Sequence, residues 1–129
     1  MAQNPDEWLR QADYDIDNAE FMFKNGRYIY TIFMCHLSIE KALKGLYIQK
    51  TGKLPPKTHN LLYLAERINI QLPDNLYDSI FTLNKLSVPT RYPDDLQRML
   101  KDYNEERTRD IIERGKEVLQ WVKTEFMKR

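Results

Sequence analysis

An all-α fold, an up-and-down bundle of four main helices plus a short fifth, is what this sequence predicts, and three observations predict it. Apolar residues recur at helical spacing over most of the chain, no segment alternates strictly enough to be a strand, and only 4 glycines interrupt the pattern. All 6 prolines fall between or at the ends of the periodic segments, where they act as stops. With 129 residues there is room for one core and no comfortable second one, so a single domain over residues 1–129 is expected.

Taken in order, Asp6 is expected to cap a first helix. Trp8, Leu9, Ala12, Ile16, Ala19 and Phe23 recur along it until Asn25-Gly26 supplies a stop. Tyr14 and Phe21 lie off that stripe and seven apart, so they form either a contact between two copies of the chain or two ordinary exposed aromatics. Asp13, Asp17 and Glu20 make an acidic row that reads as a solvated face. A second helix, from about Arg27 to Lys50, is apolar nearly all round and belongs in the middle of the bundle.

After a rigid loop over 51–57, Thr58 or His59 is expected to open a third helix carrying Leu61, Leu64, Ala65 and Ile68. Asp74 or Asn75 caps a fourth with Leu76, Ile80, Leu83 and Leu86. Pro89-Thr90-Arg91-Tyr92-Pro93-Asp94-Asp95-Leu96 then sets an arginine and a tyrosine between two prolines, on what reads as a stiff, irregular segment. Asp94 or Asp95 starts a short helical turn, and a last helix from about Asn104 to Met127 carries Ile111, Ile112, Leu119, Val122 and Phe126. Gly115, inside that helix, costs about 1 kcal/mol against alanine; close approach of another helix is a sufficient reason for it.

Composition narrows the function. Twenty Lys+Arg against 19 Asp+Glu leave a net charge of +1, which offers no global field to nucleic acid or an anionic membrane. A polyanion would have to meet a local patch. Cys35, the sole cysteine, cannot form an internal disulfide and sits in an apolar run, as a packed thiol does. The N-terminal stretch from Met1 to Glu7 is polar and acidic, unlike a secretory signal, and the apolar run from Tyr28 to Cys35 is too short to span a bilayer. A cytoplasmic protein with no membrane partner is expected.

Chemistry could come from one constellation. His36, Glu40 and Lys44 recur every four residues on one face of the central helix, and Glu40 to Lys44 has the favourable orientation for an ion pair. A carboxylate in so apolar a helix needs partners, and Arg91, His59 and Tyr92 are the distant ones available. The cluster is either a buried network that fixes helix docking or a ligand site. His36 and Glu40 give only two ligands for a metal, too few without His59 or an aspartate, so no metal and no cofactor is expected. Lys41, Lys44, Lys50, Lys53 and Lys57, with His59 just beyond, form the most basic stretch, which would become a phosphate-binding patch if Arg91 folded toward it. Glycine-rich phosphate loops, Gly-x-Ser-x-Gly elbows and Cys-x-x-Cys pairs do not occur.

Three pieces, Ser38-Ile39-Glu40-Lys41-Ala42-Leu43-Lys44-Gly45-Leu46, then Lys57-Thr58-His59-Asn60-Leu61, then Thr90-Arg91-Tyr92-Pro93-Asp94, resemble in order and spacing the HEPN family, the "higher eukaryotes and prokaryotes nucleotide-binding" domain. Trp8 to Ala19 and Gly26-Arg27-Tyr28 resemble its first helix and turn, so the likeness covers essentially the whole chain. It implies a bundle of four or five helices that commonly dimerises. Stand-alone prokaryotic members of this type are often encoded beside a minimal nucleotidyltransferase, as a toxin–antitoxin-like pair. Many HEPN proteins are metal-independent ribonucleases with an Arg-x(4 to 6)-His motif, and this chain departs from that pattern. The positions that would carry the histidine after Arg91 hold Leu96, Gln97 and Arg98, and no arginine stands five to seven residues before His36 or His59.

Without that base the resemblance implies no catalytic residue. It implies a nucleotide- or polynucleotide-binding homodimer, the partner of a nucleotidyltransferase, with a nucleotide or RNA as ligand. Arg91 would contact phosphate, Tyr92 would stack or donate a hydrogen bond, Lys41 and Lys44 would add charge, and His59 with Glu40 would orient the group. The alternatives are a ribonuclease toxin with a relocated active site and an interaction scaffold in which Arg91 and Glu40 are buried partners.

Overall fold

The structure, a computed structural model, describes residues 4–128; Met1, Ala2, Gln3 and Arg129 lie outside them. The described residues form seven helices: α1 (Pro5–Lys24), α2 (Tyr28–Thr51), α3 (Leu61–Ile68), α4 (Asp74–Lys85), α5 (Ser87–Arg91), α6 (Leu96–Asp102) and α7 (Glu105–Met127). The all-α bundle expected from the periodicity is therefore present, with more short helices than expected.

The central place of α2 follows from its sequence. Ile32, Ile39, Leu43 and Leu46 are wholly buried on successive faces, and α2 touches every other helix. Close packing on both sides is set by small residues. A Cβ on Gly115 of α7 would land on the Cys35 sulfur, and a Cβ on Gly45 would stand 3.0 Å from that of Trp8 in α1. Gly115 is thus the point of close α2–α7 approach. Burial pushes the Cys35 thiol up to about 12, so it stays protonated and packs as an apolar group. Ser38 donates to the Ala12 carbonyl at 2.7 Å, tying α2 to α1.

Several boundaries differ from the expected ones, each for a local reason. Asn4, not Asp6, caps α1: its side chain accepts from the Asp6 amide at 2.9 Å, with Pro5 in the first helical position. The third helix opens at Leu61 rather than at Thr58 or His59, because Asn60 accepts from the Tyr63 amide at 3.0 Å. Neither Asp74 nor Asn75 caps α4; Pro73 holds that position without a side-chain bond and Asp74 lies in the first turn. Asp95 and Asn104 cap α6 and α7, as expected for the one and close to expected for the other. The acidic row on α1 is not simply solvated, since Asp13 pairs with Lys123 and Glu20 with Lys116, both on α7. Tyr14 and Phe21 are 69% and 62% exposed, so their strip is open to a second molecule.

The largest departure is at the prolines. Ser87 to Arg91 is helical, not irregular, and Pro89 stands in its first turn. An amide there has no intrahelical acceptor, so a residue without one fits at little cost. Thr90 Oγ1 donates to the Leu86 carbonyl at 2.6 Å and anchors the turn. The irregular part starts at Tyr92, which Pro93 holds at φ −135° and ψ 75°.

Candidate functional site

Glu40 is the hub of a buried polar cluster. It is 4% exposed, and its two oxygens are used separately: Oε2 accepts from Lys44 Nζ at 3.0 Å, and Oε1 accepts from His59 Nδ1 at 2.8 Å. A carboxylate can only accept, so Nδ1 carries the proton and the lone pair of neutral His59 is on Nε2. The His59 side chain is 59% exposed, against 5% for that of Glu40. A buried acid thus orients an exposed imidazole.

His36, one turn before Glu40, is wholly buried; its Nδ1 lies 4.0 Å from Glu40 Oε1, beyond hydrogen-bond reach, and neither ring nitrogen makes a hydrogen bond of ordinary geometry, the His59 backbone acting on the ring only weakly. Burial pushes its pKa down to about 4; Glu40 opposes the shift and the Arg91 charge adds to it. His36 is a neutral core histidine. No group of three or more His, Cys, Asp or Glu with metal-binding geometry occurs among the described residues.

Arg91 ends α5, which packs on α2 and α4. Its guanidinium lies over the Phe33 ring of α2, 4.8 Å from the centroid, and Nε and Nη2 are buried without a hydrogen-bond partner. Arg91 has no ion pair with Glu40 or any other carboxylate among the described residues, so the pairing expected in a pure scaffold is not formed. Glu40 is taken by Lys44 and His59 instead.

Two clefts flank Arg91 and Tyr92, which line both. One, of about 460 Å³, has mainly aromatic and aliphatic walls, among them Tyr30, Phe33, Leu96 and Leu100. The other, of about 440 Å³, is lined mostly by polar side chains: Thr58, His59, Asn60, Asn84 and Ser87. Both volumes fall within the roughly 300–1,000 Å³ of small-molecule sites. Asn84 also shapes the second cleft, because its Oδ1 accepts from the Leu61 amide at 2.7 Å and its Nδ2 donates to Asn60 at 3.2 Å, fixing the start of α3.

Of the six expected site residues, Arg91, Tyr92 and His59 meet in the polar cleft, with Glu40 beneath His59. Lys44 is buried between Glu40 and the Trp8 ring, 5.9 Å from its centroid, and Lys41 pairs with Asp15 of α1 at 2.9 Å. Both lysines therefore bind α1 or the hub. Lys50 donates to the Lys128 carbonyl, and none of the five lysines of the basic stretch lines either cleft. Arg91 packs on Phe33 in the first half of α2, away from the lysine-rich end, so the condition for a continuous basic patch is not met. Phe33, Tyr30, Asn84 and Ser87 were not picked out from the sequence; Phe33 does stand seven residues before Glu40, on the same side of α2, and Asn84 and Ser87 leave no comparable trace.

A helical bundle whose central helix orients an exposed histidine, with an arginine that makes no ion pair among the described residues standing between two clefts, is a domain of the all-α class. Within that class the chain belongs to the HEPN domain family, whose pattern matches residues 5–125. This is a superfamily of nucleotide-binding and ribonuclease-like domains. The fold is similar to that of TT1696 from Thermus thermophilus, with a TM-score of 0.83 and 24% identity over 93% of this chain and 96% of that one. It is also similar to ST0689, an archaeal HEPN homologue, with a TM-score of 0.77 and 26% identity over 95% of this chain and 98% of the other. No curated protein matches the chain. No helix among the described residues is long and apolar enough to cross a membrane.

Proposed function

We propose that this chain is a nucleotide- or polynucleotide-binding HEPN protein of the cytoplasm, the non-catalytic partner of a minimal nucleotidyltransferase in a toxin–antitoxin-like pair, and that it works as a homodimer. The observation that carries the binding role is Arg91. Its buried N–H groups lack acceptors, a condition that costs free energy until an acceptor arrives, and a phosphate would meet them with a charge-assisted bond. His59 and Tyr92 share the cleft, and Glu40 holds the imidazole in place. A thermal-shift series with ATP, GTP and short RNA tests the role: a ligand at about 100 times its dissociation constant stabilises by about 2.7 kcal/mol. No shift with any of the three sinks it. Light scattering of the protein alone and co-expressed with a minimal nucleotidyltransferase checks the assembly; a monomer that ignores the transferase counts against it.

The Glu40–His59 pair favours a second reading. A mostly exposed imidazole held by a carboxylate, in a cleft that an arginine also lines, is the arrangement a general base for ribonucleotide cleavage would use. RNA left intact after metal-free incubation at high protein concentration removes that reading.

A further inference from the structure

The two clefts beside Arg91 differ in what they can hold, and the difference assigns the parts of a ligand. The cleft against α2 and α6 offers ring faces and aliphatic surface from Tyr30, Phe33, Leu96 and Leu100. Tyr30 is 59% exposed and Leu100 47%, so this surface is open rather than part of the core. Such walls suit a planar heterocycle, because base–aromatic stacking needs only a π-face. The other cleft presents hydroxyl, amide and imidazole groups and no aliphatic wall except Val88. Arg91 belongs to both: its guanidinium carbon lies 4.8 Å from the Phe33 ring centroid, and its Nε and Nη2 have no hydrogen-bond partner. A guanidinium used in this way stacks with its face and binds an anion with its edge.

We infer that the site takes a nucleotide carrying a terminal phosphate, with the base in the Tyr30–Phe33 cleft and the phosphate in the His59 cleft, and with Arg91 and Tyr92 at the junction of the two. This placement rests on the nucleotide-binding reading above and goes further by giving each part of the ligand its own wall. The opposite placement has one argument for it, since the start of α2, whose Arg27 makes no side-chain cap bond, edges the aromatic cleft. Against it, no unpartnered polar side chain other than Arg91 is buried there, and the surrounding rings would be left to a phosphate.

Calorimetric titration of the full-length protein with AMP, adenosine, inorganic phosphate and a short RNA lacking terminal phosphates, repeated on Tyr30→Ala and His59→Gln, tests the placement. Tyr30 is exposed and the His59 side chain is mostly so, and both variants are to be checked for the wild-type fold by circular dichroism before titration. AMP is expected to bind more tightly than adenosine, phosphate or the RNA. Tyr30→Ala should weaken AMP and adenosine about tenfold and leave phosphate unchanged. His59→Gln should weaken AMP and phosphate and leave adenosine unchanged. Tyr30→Ala weakening phosphate instead of adenosine reverses the assignment and overturns it. RNA binding with no AMP binding also overturns it while the polynucleotide reading stands. If none of the four ligands binds, both fall together.

Discussion

The α1–α2–α7 half of the molecule and the α5–α6 corner treat charge in opposite ways. In the first, Asp13, Asp15, Glu20 and Glu40 each have a lysine, and three of the four pairs join different helices. In the second, Arg91 is set on Phe33 with two nitrogens, Nε and Nη2, whose hydrogens find no acceptor among the described residues. Ion pairs formed within the fold are spent on holding it. A half-buried arginine that packs on a ring and makes no ion pair among the described residues contributes nothing of that kind. The boundary between the halves runs through Glu40, whose one oxygen serves the interior through Lys44 and the other the cleft through His59.

Removing that boundary residue should have the largest effect. Glu40→Ala leaves Lys44, itself only 8% exposed, without its carboxylate and frees the His59 ring. Breaking one side of a buried pair typically costs about 3–5 kcal/mol. Urea unfolding should show that loss, with Glu40→Gln losing less because an amide oxygen still accepts. A Glu40→Ala protein within about 1 kcal/mol of wild type would mean that the hub is not structural, and the contrast between the two halves would collapse.

A pH series probes the same hub from the other side. His36 has its pKa pushed down to about 4 in the folded protein, against an ordinary value near 6.5 when unfolded. Between those values the unfolded chain binds a proton that the folded chain refuses, so stability is intact above about pH 6.5 and falls as pH drops toward 4. The loss should approach about 3 kcal/mol at the low end, at 1.36 kcal/mol for each pH unit of depression. Unfolding midpoints measured from pH 7.5 to 4.5 should show this decline, and it should be much reduced in His36→Gln. An unchanged slope in that variant would assign the acid sensitivity to other groups.

The two halves also differed in how far the sequence revealed them. Helical periodicity gave α1, α2 and α7 nearly to the residue, because Ile16, Ile39, Leu43 and Ile112 repeat on long stripes and burial along a long helix leaves a regular mark. Gly115 was readable as a close approach for the same reason. The corner was less legible: Pro89 reads as a breaker, yet in a first turn it is harmless, so α5 was missed. The convergence of Glu40 with His59 was expected as one possibility, since a carboxylate in an apolar helix requires a partner. That the partner would be His59 and not Arg91 depends on where α3 starts, and that is fixed by the Asn84 bonds to Leu61 and Asn60, contacts between positions more than twenty residues apart with no periodic signature. Lys44 was legible as the i, i+4 partner of Glu40, whereas nothing in the positions of Lys41 and Lys44 on α2 says which neighbour carries Asp15 or Trp8.

The smallest expected change in stability is at Arg91, and it discriminates most sharply between the halves. Arg91→Ala gives up a cation–π contact with Phe33, about 0.5–1 kcal/mol where it is partly exposed, and at the same time removes buried N–H groups whose missing partners cost about 1–3 kcal/mol. These effects oppose each other, so unfolding free energy should move by less than about 1 kcal/mol in either direction, while the thermal shift with nucleotide or RNA disappears. The Arg91 charge also helps hold the His36 pKa down, so its removal should raise that pKa and make the decline of stability between pH 6.5 and 4 shallower than in wild type. A variant that instead lost several kcal/mol at neutral pH would place Arg91 with the paired charges of the other half, as part of what holds the helices together.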